Sequence, residues 1–157
     1  MTLSETIVLG LFVLACAAAA SPGIFFRPGQ WYEQINKPDW RPPNWLFGPV
    51  WLVLYISIAV SGWLIWRQSG NTNTEFPLIL FVAPLVLNGL WSTVFFGMRR
   101  PGLAFCEIIA LWVSIIAVII AFHPISQIAS WMLIPYWLWV SFAVVLNYSI
   151  WRRNRAD

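Results

Sequence analysis

Five apolar runs, each long enough to cross a bilayer, leave this chain little freedom in what it folds into. A spanning helix needs about 20 mainly apolar residues. The sequence supplies them at about 4–26, 44–67, 76–97, 101–122 and 129–151. Inside lipid no water bonds the backbone, so each run must close its hydrogen bonds on itself as a helix. The expected fold class is an all-α membrane protein, a five-transmembrane-helix bundle forming a single integral membrane domain over 1–157. Composition excludes the soluble alternative. The chain is 60% hydrophobic and only 10% charged, against about 25% charged in an ordinary soluble domain. The first run reads as a span rather than a cleaved leader, because no basic stretch precedes it and Glu5 does. The net charge of +3, with no basic run beyond Arg152-Arg153-Asn154-Arg155, gives no footprint for nucleic acid. Cys16 and Cys106 both lie in apolar runs and read as buried small hydrophobes rather than metal ligands.

Five spans put the termini on opposite sides. One side holds Arg27, Lys37, Arg41, Arg99, Arg100, Arg152, Arg153 and Arg155, and the other holds Arg67 alone. Eight against one is a strong positive-inside bias. It predicts a multi-pass protein of a bacterial cell membrane with the N-terminus outside and the C-terminus cytoplasmic.

The connections are short except for 27–43, which carries Trp31, Tyr32, Lys37, Trp40 and a run of prolines. Asn44 is placed to cap the second span. Pro49, Pro84 and Pro135 fall inside spans and are expected to bend them. At 100° per residue, Asn88, Trp91 and Phe95 share one face of the third span. Phe47, Trp51 and Tyr55 share a face of the second, and Tyr136, Trp139, Ala143 and Asn147 a face of the fifth. An amide facing lipid would leave polar atoms unsatisfied, so Asn88 should point into the bundle. At about 1.5 Å per residue, Trp51, Asn88, Ala143 and Asn147 all lie roughly 8–15 Å from the basic boundary, with Trp139 slightly deeper. The expected organisation is an aromatic pocket in the basic-side half of the bundle, with 27–43 as a lid.

The pocket lacks acid–base machinery. His123 stands at the far end of the fourth span, and no Ser–His–carboxylate set or metal-spaced cluster occurs. Glu107 is the acidic residue clearly within a span, and a shallow glutamate there either serves a function or reaches back to the headgroups. This points to binding by shape, stacking and a few hydrogen bonds. No catalytic residue and no metal site is assigned.

Several ordered motifs resemble the TspO/MBR family, the tryptophan-rich sensory proteins related to the mammalian translocator protein, or peripheral-type benzodiazepine receptor. The loop reads Trp31-Tyr32, then Lys37-Pro38-Asp39-Trp40-Arg41-Pro42-Pro43-Asn44-Trp45, similar to the family's KPxWxPPxW signature. It is followed by Pro49-Val50-Trp51, by Leu87-Asn88-Gly89-Leu90-Trp91-Ser92 and by Pro135-Tyr136-Trp137-Leu138-Trp139. The resemblance runs along almost the whole chain. It implies a homodimeric five-helix bundle that binds protoporphyrin IX or haem as ligand, with no cofactor required. It also implies binding of isoquinoline and benzodiazepine ligands and, in some members, sterols. Carried onto this sequence, the ligand-binding residues are Trp31, Tyr32, Trp51, Asn88, Trp91, Tyr136, Trp139 and Ala143. Leu146, Tyr148 and Arg152 fit the sterol pattern, which is weak by itself. Ile79 and Ala83 occupy places where the family often has small residues for dimer contact; the small run 15–20 offers another close-packing surface. The function implied is a sensor, regulator or transporter of porphyrins. The alternatives are a light-dependent porphyrin-degrading enzyme, whose chemistry would be photo-oxidative, and a small transporter of apolar molecules.

Overall fold

The computed structural model describes residues 2–26 and 29–155. Arg27 and Pro28, the first two residues of the expected lid, lie outside the described residues. Five helical spans form the bundle, as the apolar runs require: Leu3–Phe25, Asn44–Trp66, Glu75–Gly97, Pro101–Phe122 and Gln127–Arg153. In chain order the elements are α1 (Leu3–Phe25), α2 (Gln30–Gln34), α3 (Asn44–Trp66), α4 (Glu75–Ser92), α5 (Pro101–Phe122), α6 (Gln127–Met132) and α7 (Ile134–Arg153). A π-helical turn, Thr93–Gly97, continues α4.

The N-terminal end of the bundle is tied together through Glu5. Thr2 Oγ1 accepts from the Glu5 N–H at 3.2 Å, and Glu5 Oε2 accepts from the Thr2 N–H at 2.8 Å. This capping box satisfies orphan donors at the start of α1. Glu5 Oε1 also pairs with Arg67 Nε at 3.0 Å, which neutralises the lone basic residue of that side. The Trp63 indole donates to the Glu5 carbonyl at 3.1 Å, so α1 and α3 are joined here. Ser57 and Ser61 of α3 donate to the carbonyls of Met132 and Ala129, each at 2.7 Å, fastening α6. In lipid, such interhelical bonds and close van der Waals packing replace the hydrophobic drive of a soluble core.

Small residues set the closest approaches. A Cβ on Gly89 would stand 3.3 Å from the Ala19 carbonyl oxygen, so α1 and α4 meet backbone to side at that point. Part of the small run 15–20 is thereby used within the chain. Ile79 points outward on α4 with Val82, Val86 and Leu90, an apolar stripe suited to lipid.

Four expectations need correction. The segment 27–43 is not plain loop, because Gln30–Gln34 forms a helical turn and a half. The fifth span is broken: the chain leaves α6 at Leu133 and restarts as α7, with Pro135 in the first turn. A proline there needs no donor, so Pro135 starts a helix instead of bending one. Asn44 makes no side-chain cap; Pro43 holds the N-cap position with extended backbone. Cys16 is buried, but Cys106 faces outward from α5.

Candidate functional site

Packing of aromatic rings leaves a hollow between α1, α3, α4 and α7. Its volume is about 430 Å³, within the range of small-molecule sites. The polar groups around it come in matched pairs. Asn88 is buried and donates through Nδ2 to the Tyr55 hydroxyl at 2.9 Å. Trp91 Nε1 donates to Asn147 Oδ1 at 3.0 Å, and Asn147 Nδ2 donates to the Pro101 carbonyl at 2.8 Å. The Asn147 amide therefore joins α4, α7 and the start of α5. Trp51 lies over Tyr55 with ring centres 5.4 Å apart. Its indole N–H has no hydrogen-bond partner among the described residues, so it remains a donor at the cavity wall.

The π turn shapes the basic-side wall. The Met98 N–H reaches back five residues to the Thr93 carbonyl at 2.8 Å. A wider turn advances less per residue, which brings Phe95 and Phe96 together onto the cavity side. Trp91 stacks on Phe95 at 5.0 Å, and Tyr32 from α2 meets Phe96 edge-on at 5.5 Å. The segment before α3 thus docks on aromatic rings. Arg99, with φ of 56°, ends this helix in the left-handed region.

Of the residues singled out in the sequence, Tyr32, Trp51, Asn88, Trp91 and Ala143 line the cavity. Trp31, Tyr136 and Trp139 do not reach its surface. Each stands one ring behind it: Trp31 behind Phe95 at 5.9 Å, Tyr136 behind Trp51 at 6.2 Å, and Trp139 behind Phe47 at 5.6 Å. Helical spacing puts these side chains on the correct face but does not say which ring of a stack is innermost. The sterol-pattern residues divide between two surfaces. Leu146 lines the cavity, whereas Tyr148 is outward, packed on Phe105 and Trp151, and Arg152 is exposed. Two residues apart on a helix is about 200°, so one small ligand cannot lie along all three.

The wall contributed by α1, including Ala20 and Gly23, was not foreseen from the sequence. Its only signal was the smallness of these residues. Glu107 does not snorkel: both carboxyl oxygens are buried without a hydrogen-bond partner among the described residues. It belongs to α5, no described residue of which lines the cavity. His123 is exposed at the far end of α5.

The basic rim is partly engaged. The Lys37 ammonium donates to the carbonyls of Tyr32, Glu33 (3.0 Å) and Ile35 (2.9 Å), closing the C-terminus of α2. Loss of hydration, and secondarily the Arg41 charge, hold its pKa below the ordinary lysine value. Burial pushes the Tyr32 phenol upward. Arg41 borders a second, open and polar hollow on the other side of α2.

A five-span integral membrane protein, with an aromatic cavity in one half of the bundle and a docked segment beside it, is the class that fold and site define. The TspO/MBR family model matches residues 11–152. The chain is 35% identical over 154 residues to Protein CrtK of Rhodobacter capsulatus, covering 96% of this chain and 94% of that protein. It is 36% identical to the tryptophan-rich protein TspO of Chlorobaculum tepidum, over 96% of this chain and 98% of that one. It is also 34% identical to the human translocator protein, with 91% and 88% covered. This chain belongs to the TspO/MBR family.

Proposed function

We propose that the protein binds tetrapyrroles, protoporphyrin IX or haem, in the cavity between α1, α3, α4 and α7, and acts as a sensor, regulator or transporter of porphyrins. One observation carries the reading: a membrane-buried hollow walled by Trp51, Trp91, Tyr32 and Phe95, with Asn88 at its side. Flat rings stack on an extended π-system. The free Trp51 N–H supplies a hydrogen bond to an acceptor on the ligand. Lys37 is occupied by α2 and Arg41 borders the neighbouring hollow, so a porphyrin carboxylate would have to reach past the cavity wall to meet either cation. Arg27, the other cation considered for this role, is outside the described residues. The positive-inside bias supports placing the basic side in the cytoplasm of a bacterial cell. Trp31 and Trp139, which the photo-oxidative alternative would set against the ring, stand one layer back, so that alternative is not favoured.

The test is titration of purified protein with protoporphyrin IX, following tryptophan quenching. Saturable quenching is expected, with affinity lowered about tenfold or more in Trp51→Ala, by loss of one stacked ring and one hydrogen bond. Trp139→Ala, behind the wall, should change it less. Quenching that never saturates in wild type would defeat the proposal.

A further inference from the structure

The cavity opens between α1 and α3, at exposed residues that lie within the two spans. Ile24 of α1 and Leu52 of α3 both border the cavity, yet they are 58% and 64% exposed. Leu52 lies eight residues into α3, about 12 Å below its start, so the gap is within the membrane rather than at its aqueous edge. Asn44, Gly48 and Leu52 recur every four residues along this side of α3, and all three are exposed. Across the gap stand Gly23 and Ile24. A Cβ on Gly48 would meet nothing within 4 Å.

The two helices do not part along their whole length. Towards the N-terminal end of the bundle, a Cβ on Gly62 would lie 2.7 Å from the Phe12 ring, and Trp63 bonds the Glu5 carbonyl. α1 and α3 are thus clamped at one end and splayed at the other. On the aqueous side, Tyr32 is buried against Phe95 and Phe96. The segment that carries it is tied to the end of α7: the Asn154 amide bonds both backbone groups of Asn36, at 2.9 and 2.8 Å.

We propose that ligand passes between the bilayer and the cavity sideways, through a portal between α1 and α3 framed by Gly23, Ile24, Gly48 and Leu52, while the α2 segment stays docked. The ligand class is an apolar small molecule dissolved in the acyl phase. The inference rests on reading the cavity as a ligand site. Gly48 is the control point, because a Cβ there meets open space and leucine, which would extend from it into the gap, is a better helix former than glycine.

The experiment uses the full chain in liposomes, labelled with fluorinated tryptophan, the Trp51 resonance being assigned by its loss in Trp51→Phe. Two paramagnetic quenchers are compared without ligand: a lipid with a nitroxide on its acyl chain, and a water-soluble gadolinium chelate. The expected result is broadening of Trp51 by the lipid and little by the chelate, with the lipid effect reduced at least about threefold in Gly48→Leu. In stopped-flow mixing with protoporphyrin IX, Gly48→Leu should slow both association and dissociation by about tenfold, as a block on the path does. A cysteine pair, Asn36→Cys with Asn154→Cys, oxidised to fix the segment, should leave the association rate unaltered. Broadening of Trp51 by the chelate alone, or a lipid effect unchanged in Gly48→Leu, would overturn the portal. Absence of protoporphyrin binding would remove the tetrapyrrole reading, and the ligand-free comparison would still decide the portal.

Discussion

Asn154, at the end of the last helix, holds the backbone of Asn36 by both its polar groups: Oδ1 accepts from the Asn36 N–H at 2.9 Å and Nδ2 donates to the Asn36 carbonyl at 2.8 Å. This is the pairing an adjacent strand would provide, supplied by one side chain. It fixes the α2 segment to α7 and so sets how Tyr32 meets the cavity. Asn154→Ala removes both bonds, each worth about 1 kcal/mol net. Amide hydrogen exchange over residues 30–37 should then quicken by about 30-fold, a factor of ten per 1.4 kcal/mol, while the spans exchange as before. Unchanged exchange in that segment would show that the latch contributes nothing.

A second restraint on the same segment, this one cationic, is Lys37. Its ammonium is shared among three carbonyls at the end of α2 and lies 4.8 Å from the centre of the Tyr32 ring. Lys37→Met keeps the stem and removes the donors. Exchange of the α2 amides should rise about tenfold, in line with loss of a bond to a charged group at a partly hydrated site. Protoporphyrin affinity should fall less than in Trp51→Ala. A larger loss of affinity would mean that Lys37 meets the ligand directly.

Trp91 and Asn147 couple α4 to α7 beside the cavity. Interhelical hydrogen bonds in membranes are worth about 0.6 kcal/mol on average and about 1.7 at most. Trp91→Phe should cost about that much beyond its lost packing. A double-mutant cycle with Asn147→Ala, read by unfolding in detergent, should return a coupling of about 0.6–1.7 kcal/mol. A coupling near zero would place the contact among those that merely coexist.

Two glycines that look alike in the sequence should respond oppositely. Gly89→Leu drives a side chain onto the Ala19 carbonyl, backbone that cannot step aside. Overpacking of this kind costs about 1–3 kcal/mol, and the thermal unfolding midpoint should drop. Gly48→Ala meets open space and should be neutral or stabilising by up to about 1 kcal/mol. Equal effects at both positions would contradict the close approach of α1 to α4 at Gly89 and the open side of α3 at Gly48.

The number of spans and the side on which the basic residues collect follow from the sequence by itself. So do the aromatic faces of α3, α4 and α7, because lipid forces each apolar run into a helix and a helix fixes which side chains share a face. Asn88 was legible as inward-facing for the same reason: an amide in acyl chains has no partner. Which aromatic is innermost was not legible. Phe95 covers Trp31, Phe47 covers Trp139 and Trp51 covers Tyr136, and these orderings depend on how far apart the helices stand. That spacing is set by contacts distant in sequence, such as Ala19 with Gly89 and Phe12 with Gly62. The π turn at Thr93–Gly97 and the break at Leu133 also escaped the pattern, because periodicity assumes one constant advance per residue. Local chemistry chose the helices and their inward faces, whereas the void, its α1 wall and its opening arose only when five helices of unequal closeness were packed together.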